Sequence, residues 1–303
     1  MKNQGIYETL VAQLDKLARH NRQGSYRTKE RYYEAFKRFC AFLADEYRVQ
    51  KLANISGKHL VAYVERMQER GLSASTIKTD LAAIRFFHDK MDNAKYRLPA
   101  NDELGVDLER RRFGGVDRAW TTAEFHRALA IAAATDHMDY VLAFYLARLC
   151  GLRIHECFRI DTAIAEEALR ENSITIKGKG GKIRTIPIED ERVPMMLKKL
   201  LAVTPRGHKL LVPDDKKTDI AMKELQNFIY VHRHEIQDPG DLRPLTFHGL
   251  RHSYSAEKYK QFMDCGKSPL DAHFAVSRLL GHERPDVTTV YLASLREEER
   301  HED

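Results

Sequence analysis

The sequence predicts a mainly α-helical protein with one small β-hairpin, and two patterns support this fold class. Apolar residues recur every three or four positions along most of the 303 residues, which is the spacing of helices with one buried face. Alternating apolar and polar residues, which are typical of strands, stand out at 173–177 (S-I-T-I-K) and 183–188 (I-R-T-I-P-I). The glycine-rich G-K-G-G-K between them favours a turn, so we expect the two strands to pair as a hairpin.

A break in the helical pattern divides the chain. The stretch 98–119 contains a proline, two adjacent glycines and many charged residues, which is typical of a linker between domains. Because one core seldom grows beyond about 250–300 residues, a chain of 303 residues has room for two cores. We therefore expect a helical domain over 1–97, a linker over 98–119 and an α+β domain over 120–303.

Positive charge is concentrated in the first domain. Residues 1–97 contain 19 Lys and Arg against 11 Asp and Glu, a net charge of +8, whereas the whole chain carries +6. A basic domain joined to a nearly neutral one is typical of proteins that bind a polyanion such as nucleic acid, although a solvated basic surface has the same composition. Three linker arginines, Arg110, Arg111 and Arg112, would lie near a DNA backbone if the two domains close around a duplex, but a solvated linker contains such residues equally often.

No stretch of the chain resembles a membrane or export segment. Apolar runs stay below the about 18–20 residues of a membrane span, and the first residues lack the apolar segment of a signal peptide. We therefore expect a cytoplasmic protein with no membrane partner. The cysteines show no C-x-x-C spacing, so we expect reduced core residues rather than disulfides or zinc ligands. They are Cys40, Cys150, Cys157 and Cys265.

The first domain is predicted to be a compact bundle of four or five amphipathic helices. Apolar spacing indicates helices over 6–20 and 28–47, the second with Thr28 as a candidate N-cap, and two more after Ser56 and after the cluster 73–76. Their polar faces combine basic and hydroxyl side chains, a mixture that contacts DNA phosphates without reading sequence. Ordinary surface helices show the same mixture. The candidate DNA-contact residues are Arg27, Lys29, Ser75, Lys78 and Arg85.

Helices also dominate the second domain. Thr121 and Glu124 form a capping-box pattern that opens a helix over 122–134. A helix over 138–150 follows, and then a short helix that contains Glu156. Beyond the hairpin, apolar spacing indicates further helices over 190–202 and 217–236.

The stretch from His248 to Tyr291 groups residues that suit phosphate chemistry. His248 and Arg251 are three positions apart, so in a helix they lie on one face with Cβ atoms about 5–6 Å apart, the reach of one phosphate group. His282 follows a glycine at the end of an apolar run, and Pro285 can open a further helix that contains Tyr291. An arginine stays charged at any working pH, imidazoles donate or relay protons, and a tyrosine hydroxyl can act as a nucleophile.

These residues resemble, in type, order and spacing, the motifs of the tyrosine recombinase (phage integrase) family. The run V-S-R-L-L-G-H-E-R-P-D-V-T-T-V-Y-L-A is most similar to integrases of conjugative elements. The resemblance covers most of the second domain and, more weakly, the first, and it implies a SAM-like core-binding domain followed by a tyrosine-recombinase catalytic domain. The motifs are G-L-R at 151–153, the lysine-rich turn at 177–182, H-G-L-R-H at 248–252, L-L-G-H at 279–282 and T-T-V-Y at 288–291.

Two features depart from the family's pattern. His155 and Cys157 flank Glu156 in the box that follows Arg153, without replacing the matching residues. The chain is also several residues longer than the common pattern around 261–270, which leaves the geometry of this segment open.

The resemblance implies a site-specific recombinase that breaks and rejoins DNA through a covalent 3′-phosphotyrosyl intermediate, without a metal, ATP or another cofactor. Tyr291 is the implied nucleophile, and Lys179 is the implied acid for the leaving 5′-oxygen, with Lys177 and Lys182 as rival assignments. The implied catalytic residues are Arg153, Lys179, His248, Arg251, His282 and Tyr291.

The implied partners are double-stranded recombination sites and further copies of the chain. We expect a homo-tetramer on two paired sites, a monomeric or weakly associated protein without DNA, and association with the nucleoid. Whether the protein integrates, excises or resolves a mobile element stays open, as does a topoisomerase-like nicking and closing activity.

Three interpretations from other classes compete. His248 and His252 have the H-x-x-x-H spacing of a zinc hydrolase, but Gly249 stands where the metalloprotease pattern requires glutamate. A P-loop is disfavoured because G-x-x-x-x-G-K-[ST] is absent. A catalytically silent DNA-binding regulator would use the same fold, and the presence of all six implied catalytic residues disfavours it.

Overall fold

The computed structural model of the chain describes residues 2–19, 26–108, 117–178, 181 and 183–281. The chain divides into two compact units, Met1–Arg111 and Arg112–Asp303. In the first unit, α1 and α2 are followed by a π-helical turn, Leu43–Tyr47, and a 3₁₀ turn, Leu52–Asn54, before α3 and α4. The helices are α1 (Gln4–Arg19), α2 (Tyr26–Phe42), α3 (Gly57–Glu69) and α4 (Ala74–His88).

The predicted helical bundle of the first domain is confirmed, and two helices, α3 and α4, start where the sequence predicts. Ser56 is the N-cap of α3, and the hydroxyl of Ser73 accepts the backbone N–H of Thr76 at the start of α4. Thr28 is not a cap, because α2 already begins at Tyr26. The core is formed by apolar side chains on one face of each helix. Among its buried members are Leu10, Leu14, Phe36, Cys40, Leu43, Leu60, Val64, Met67, Ile77, Leu81, Ile84 and Phe87.

The start of the expected linker packs against the first unit. Leu98 and Leu104 are buried in the core of this unit, where they are 7% and 6% exposed. Arg85 donates from Nε to the carbonyl of Pro99 at 2.7 Å and from Nη1 to Oδ1 of Asn101 at 2.8 Å. The charge of the segment indicated a solvated tether, but Leu98 and Leu104 are buried with the bundle.

The described part of the second unit is also mainly helical. Its core is built around α6, which packs against α5, α9 and α12. Trp120 fixes the entry into this unit: its backbone N–H donates to Oγ of Ser253 at 2.8 Å, and its indole N–H donates to the carbonyl of Thr246 at 2.8 Å. The elements are α5 (Thr122–Ala134), α6 (Met138–Cys150), α7 (Ile154–Cys157), α8 (Thr162–Glu171), β1 (Ser173–Lys177), β2 (Ile183–Pro187), α9 (Arg192–Leu201), α10 (Thr218–Val231), α11 (Arg233–Ile236), α12 (Phe247–Asp264) and α13 (Pro269–Leu280).

The predicted hairpin is confirmed. Strands β1 and β2 pair antiparallel, with Ile174 opposite Ile186 and Ile176 opposite Arg184. Ile174, Ile176 and Ile186 are buried, so the face of the hairpin that includes Arg184 lies on the core. Helix α8 precedes the hairpin and was not among the predicted elements, and the helix expected over 217–236 is divided into α10 and α11 at His232.

The longer segment near 261–270 adds helix rather than an irregular loop. Helix α12 continues to Asp264, Gly266 turns the chain with a φ of +81°, and α13 begins at Pro269 with Ser268 as its N-cap. Cys265 lies in this turn and is exposed, so the expectation that every cysteine is a core residue was wrong for Cys265. The other three cysteines are buried, and all four are free thiols.

Across the described ranges of the chain, no helix combines the length and the apolar character that a membrane span requires.

Candidate active site

Helix α12 presents three of the residues that the sequence analysis singled out or considered, on its first turns. His248 is exposed, whereas Arg251 and His252 are buried. Gly249 faces the chain that enters the second unit, because a Cβ atom there would lie 2.5 Å from Cδ1 of the Trp120 ring. Helix α12 can therefore dock against this segment only with glycine at position 249.

Arg251 joins two helix ends. Its Nη1 donates to the carbonyl of Gly151, at the end of α6, and its Nη2 donates to the carbonyl of Leu280 at 2.6 Å, at the end of α13. Carbonyls in the last turn of a helix have no partner within the helix, so these bonds satisfy groups that would otherwise need water. The side chain of Arg251 is fully buried, and it holds the start of the Arg153 turn beside the last residues of α13.

Arg153 lies two residues past Gly151, at the start of α7. Its backbone N–H donates to Oε2 of Glu156 at 2.8 Å, and its Nη1 donates to Oε1 at 2.9 Å. The side chain is 23% exposed, so the guanidinium is oriented by Glu156 while part of it reaches solvent. An arginine held in this way is prepared to receive an anion with little loss of side-chain entropy.

Glu156 connects the arginines of the site. It is 0% exposed and also accepts two hydrogen bonds from Arg184 on β2, at 2.9 and 2.8 Å. Nη1 of Arg251 lies 4.0 Å from Oε2. Burial alone would raise the pKa of the Glu156 carboxyl, but the hydrogen bonds and charge of Arg184, together with those of Arg153, hold its pKa at about 2. The carboxylate is therefore ionised at any working pH.

The two histidines of α12 are held neutral. Their ring centroids are 5.3 Å apart. Although His248 reaches solvent, desolvation by the protein beside it, and then the charges of Arg251, Arg153 and Arg118, lower its pKa to about 4. Desolvation also lowers the pKa of His252, to about 3. A neutral imidazole at position 248 can accept a proton, and a phosphate placed beside it would offset the arginine charges and raise its pKa.

The remaining predicted catalytic residues, Lys179, His282 and Tyr291, lie outside the described residues, as does the rival Lys182. The elements that lead to them are described. Strand β1 ends at Lys177, two residues before Lys179, and α13 ends at Leu280, with Gly281 as its C-cap directly before His282. Lys177 itself is exposed at the end of β1.

Helix α12 also contains two tyrosines, Tyr254 and Tyr259, which are alternatives to Tyr291 as the nucleophile. Tyr254 is 3% exposed and packs in a small cluster with Val276 and Leu280, and burial raises the pKa of its hydroxyl. Its ring occupies the space beside Gly151, so Tyr254 has a packing role. Tyr259 is half-buried at the edge of the same cluster.

The candidate DNA-contact residues of the first unit differ in their surroundings. Arg27 and Ser75 are exposed, and Lys29 and Lys78 are half-buried. Arg85 is engaged by Pro99 and Asn101, as described above. The linker arginines Arg110, Arg111 and Arg112 lie outside the described residues.

The sequence did not predict the partner of one charged group in the first unit. Arg38 is 53% exposed and donates from Nη2 to Asp80 at 2.8 Å, and Asp80 is almost fully buried. The hydroxyl of Tyr63 donates to the same carboxylate at 3.1 Å. This contact orients a surface guanidinium beside α4. Because Arg38 and Asp80 are 42 positions apart, no local sequence pattern predicts their pairing.

Two further arginines, both in the second unit, were not predicted as site residues from the sequence. Arg184 contacts Glu156, and Arg118 contributes positive charge at His248 and His252. Arg184 had a readable signal, since it shares a strand face with the apolar Ile186.

Within the described ranges, no group of three or more His, Cys, Asp and Glu side chains is arranged to hold a metal ion.

Comparison with known proteins identifies the family. The Phage integrase family model matches residues 119–298, more than half of the chain, and the model for the phage integrase N-terminal SAM-like domain matches residues 13–92. Many solved structures share the fold at low sequence identity, and three of them illustrate the match.

The Tn1549 transposon integrase in complex with transposon right end DNA is 16% identical with a TM-score of 0.59, and the match covers 97% of this chain and 100% of that chain. The lambda integrase tetramer bound to a Holliday junction is 16% identical with a TM-score of 0.66, over 92% and 75% of the two chains. The XerH site-specific recombinase bound to palindromic difH DNA is 18% identical with a TM-score of 0.65, over 96% and 83%. The chain therefore belongs to the phage integrase family and is a tyrosine-type site-specific recombinase.

Proposed function

We propose that Arg153, His248 and Arg251 bind the scissile phosphate of a recombination site, with Lys179, His282 and Tyr291 completing the catalytic set. The observation that carries this proposal is that Arg153 and Arg251, almost 100 positions apart in the sequence, both lie within ion-pair distance of Glu156. Two guanidinium groups beside one carboxylate leave an excess of positive charge, which suits a phosphodiester in the transition state.

The reaction follows from these roles. The hydroxyl oxygen of Tyr291 attacks phosphorus, so that a bond from tyrosine to phosphorus forms while the bond from phosphorus to the 5′-oxygen breaks. The tyrosine proton passes to a histidine, for which the neutral His248 is suited. Lys179 protonates the departing 5′-oxygen. Because the 3′-phosphotyrosyl bond keeps the energy of the phosphodiester, a 5′-hydroxyl can attack it to rejoin DNA without ATP.

The partners in this proposal are duplex DNA and three further copies of the chain. The net charge of +8 over residues 1–97 supports DNA binding by the first unit, with the exposed Arg27 and Ser75, and with Lys29, Lys78 and Arg85, as its contacts. A homo-tetramer on two paired sites is supported by the tetramer that lambda integrase forms on a Holliday junction. Such a protein would integrate, excise or resolve a mobile element, in the cytoplasm and in association with the nucleoid.

Denaturing-gel trapping of a covalent complex tests the nucleophile. The substrates are nicked duplexes tiled across the DNA that flanks the gene, since a nick lets the cleaved strand diffuse away and leaves the adduct. We expect a protein–DNA adduct with the wild type and none with Tyr291→Phe, which retains the ring and changes stability by about 1 kcal/mol or less. Tyr259→Phe is the matched control, since it removes the same hydroxyl group from half-buried Tyr259, and it should form the adduct normally.

The same gel separates the competing interpretations. EDTA should leave cleavage by the wild type intact, whereas a zinc hydrolase would lose activity with the chelator and keep it in Tyr291→Phe. A silent regulator would bind the duplexes and form no adduct with any of them. An adduct that persists in Tyr291→Phe would show that another tyrosine is the nucleophile.

A further inference from the structure

Arg184 makes a two-pronged contact with Glu156 that the reaction described above does not use. Its Nη1 donates to Oε1 at 2.9 Å and its Nη2 donates to Oε2 at 2.8 Å, while its side chain is only 11% exposed. Paired hydrogen bonds between an arginine and a carboxylate fix both the distance and the plane of the two groups. Arg184 therefore sets the orientation of the Glu156 carboxylate.

The same carboxylate orients Arg153. Both oxygens of Glu156 accept two hydrogen bonds, one each from Arg184 and one each from the backbone N–H or Nη1 of Arg153. Arg184 also compensates the charge of Glu156. Without Arg184, the buried carboxylate would be shared between Arg153 and Arg251, and it would neutralise part of the positive charge available to a phosphate.

Arg184 also reaches the end of α13. A Cβ atom on Gly281 would lie 3.1 Å from both Cδ and Nη1 of Arg184, so this side chain packs closely against the residue that precedes His282. In the sequence, Arg184 follows Lys179 by five positions and lies in the strand that leaves the lysine-rich turn. One side chain thus links the Arg153 turn, the hairpin and the end of α13.

We propose that Arg184 is a positioning residue for DNA cleavage, which holds the hairpin at a fixed distance from Arg153 and from the end of α13. The inference rests on the proposed function of the site. Loss of Arg184 would let the hairpin shift, and Lys179 would then meet the leaving 5′-oxygen less often. A displacement of about 1 Å in a catalytic group typically costs about 10²-fold in rate.

A merely structural ion pair would behave differently. Replacing a buried pair changes stability, and it lowers the rates on all substrates in proportion to the folded fraction. A misplaced general acid lowers the rate only where the leaving group needs a proton. A substrate with a 5′-bridging phosphorothiolate leaves as a thiolate and needs no proton, so the ratio of its cleavage rate to that of ordinary DNA reports on the acid alone. This ratio is independent of the fraction of active protein.

The experiment measures single-turnover adduct formation on a nicked duplex that the wild type cleaves, with a 5′-oxygen or a 5′-sulfur at the scissile position. Arg184→Gln is the test, because it removes both the charge and the guanidinium group. Arg184→Lys keeps the positive charge but cannot form the paired hydrogen bonds of a guanidinium. Lys179→Ala defines full loss of the acid. Arg159→Gln is the matched control, since the Arg159 side chain donates to the carbonyl of Lys177 at 3.0 Å and thus contacts the hairpin, whereas only its backbone N–H bonds to Glu156, at the carbonyl.

We expect Arg184→Gln to slow cleavage of ordinary DNA by about 10²-fold and to raise the sulfur-to-oxygen rate ratio by about 10-fold or more, with DNA affinity changed by less than about 3-fold. Arg184→Lys should be intermediate, and Arg159→Gln should match the wild type. A ratio in Arg184→Gln equal to that of the wild type overturns the inference, while sulfur rescue of Lys179→Ala would leave the proposed function standing. An absent adduct in the wild type, or one retained by Tyr291→Phe, rejects the proposed function instead.

Discussion

The ring of Tyr254 lies against Gly151, with Cε1 2.6 Å from the position that a Cβ atom on this glycine would occupy. Gly151 also has a φ of +64°, in the left-handed region that side chains disfavour. Its carbonyl accepts a hydrogen bond from Arg251. The glycine of the G-L-R motif is thus required for its conformation and for the space that it leaves to helix α12.

Replacement of Gly151 by alanine should destabilise the second unit strongly. The left-handed conformation costs about 1–2 kcal/mol for a residue with a Cβ atom, and the overlap with Tyr254 adds about 1–3 kcal/mol. Gly207→Ala is the matched control, since Gly207 has a φ of +84° and no atom within 4 Å of the Cβ position. Urea unfolding of both variants, followed by the fluorescence of Trp120, the single tryptophan, measures the stability of the second unit. Equal losses in the two variants would contradict the role given to Tyr254.

Stability of the second unit should fall in mild acid. The pKa of His252 is lowered from 6.5 to about 3 by desolvation, so the unfolded chain takes up a proton at a higher pH than the folded one. The contribution of neutral His252 to the free energy of unfolding is complete above about pH 6.5 and is lost as the pH falls towards 3. The total loss is on the order of a few kcal/mol. Lowered pKa values at His248 and Glu156 act in the same direction.

Urea midpoints at pH 7.5, 6.5, 5.5 and 4.5 measure this dependence. His252→Asn should flatten the fall in unfolding free energy between pH 6.5 and 4.5, whatever its effect at pH 7.5. His234→Asn, at a side chain that is 80% exposed, should keep the slope of the wild type. A slope that His252→Asn leaves unchanged would assign the acid sensitivity to other groups.

The first unit should be tested as residues 1–111 rather than 1–97. The shorter fragment lacks Leu98 and Leu104 and the partners of Arg85, so its unfolding free energy should be lower by about 2–5 kcal/mol. The longer fragment should bind duplex DNA, with an affinity that falls steeply with salt, at a slope of about −0.9 per phosphate contact. Circular dichroism during urea unfolding and filter binding from 50 to 300 mM NaCl measure these properties. Equal stability of the two fragments would show that the leucines contribute little.

Three lysines near the hairpin turn compete for the role of the acid. Lys179→Ala should slow cleavage of ordinary DNA by about 10²–10⁴-fold, the usual contribution of a general acid, and the 5′-phosphorothiolate should restore it. Lys177→Ala and Lys182→Ala should cleave both substrates like the wild type. Sulfur rescue of either of these variants, with none for Lys179→Ala, would move the assignment.

The helices and the hairpin were predictable because their signals are local. Helices with large apolar residues on one face, such as α2 and α4, were recognised from spacing alone. Helix α8 was missed because its buried face consists of small residues, Ala165 and Ala168, which contribute little to an apolar pattern. The burial of Leu98 was not predicted, because the many charged residues of its segment indicated a solvated linker.

The geometry of the site was less accessible from the sequence. The contact of Glu156 with Arg184 spans 28 positions, and the bond from Arg251 to Gly151 spans 100. Their partners are set by how α6, α12 and the hairpin pack. The residue types of the family motifs identified which side chains matter, but neither spacing nor periodicity indicates that a single carboxylate orients the arginines.

Cys265, in the turn between α12 and α13, offers a practical route to observing assembly. The other three thiols are buried, and burial raises the pKa values of Cys40 and Cys150 to about 12 and that of Cys157 well above its usual range, so few of them are thiolates at neutral pH. A maleimide fluorophore should therefore attach to the natural sequence at a single position. Energy transfer between donor-labelled and acceptor-labelled subunits would then count and time the joining of protomers on DNA, in a protein that needs no cysteine replaced.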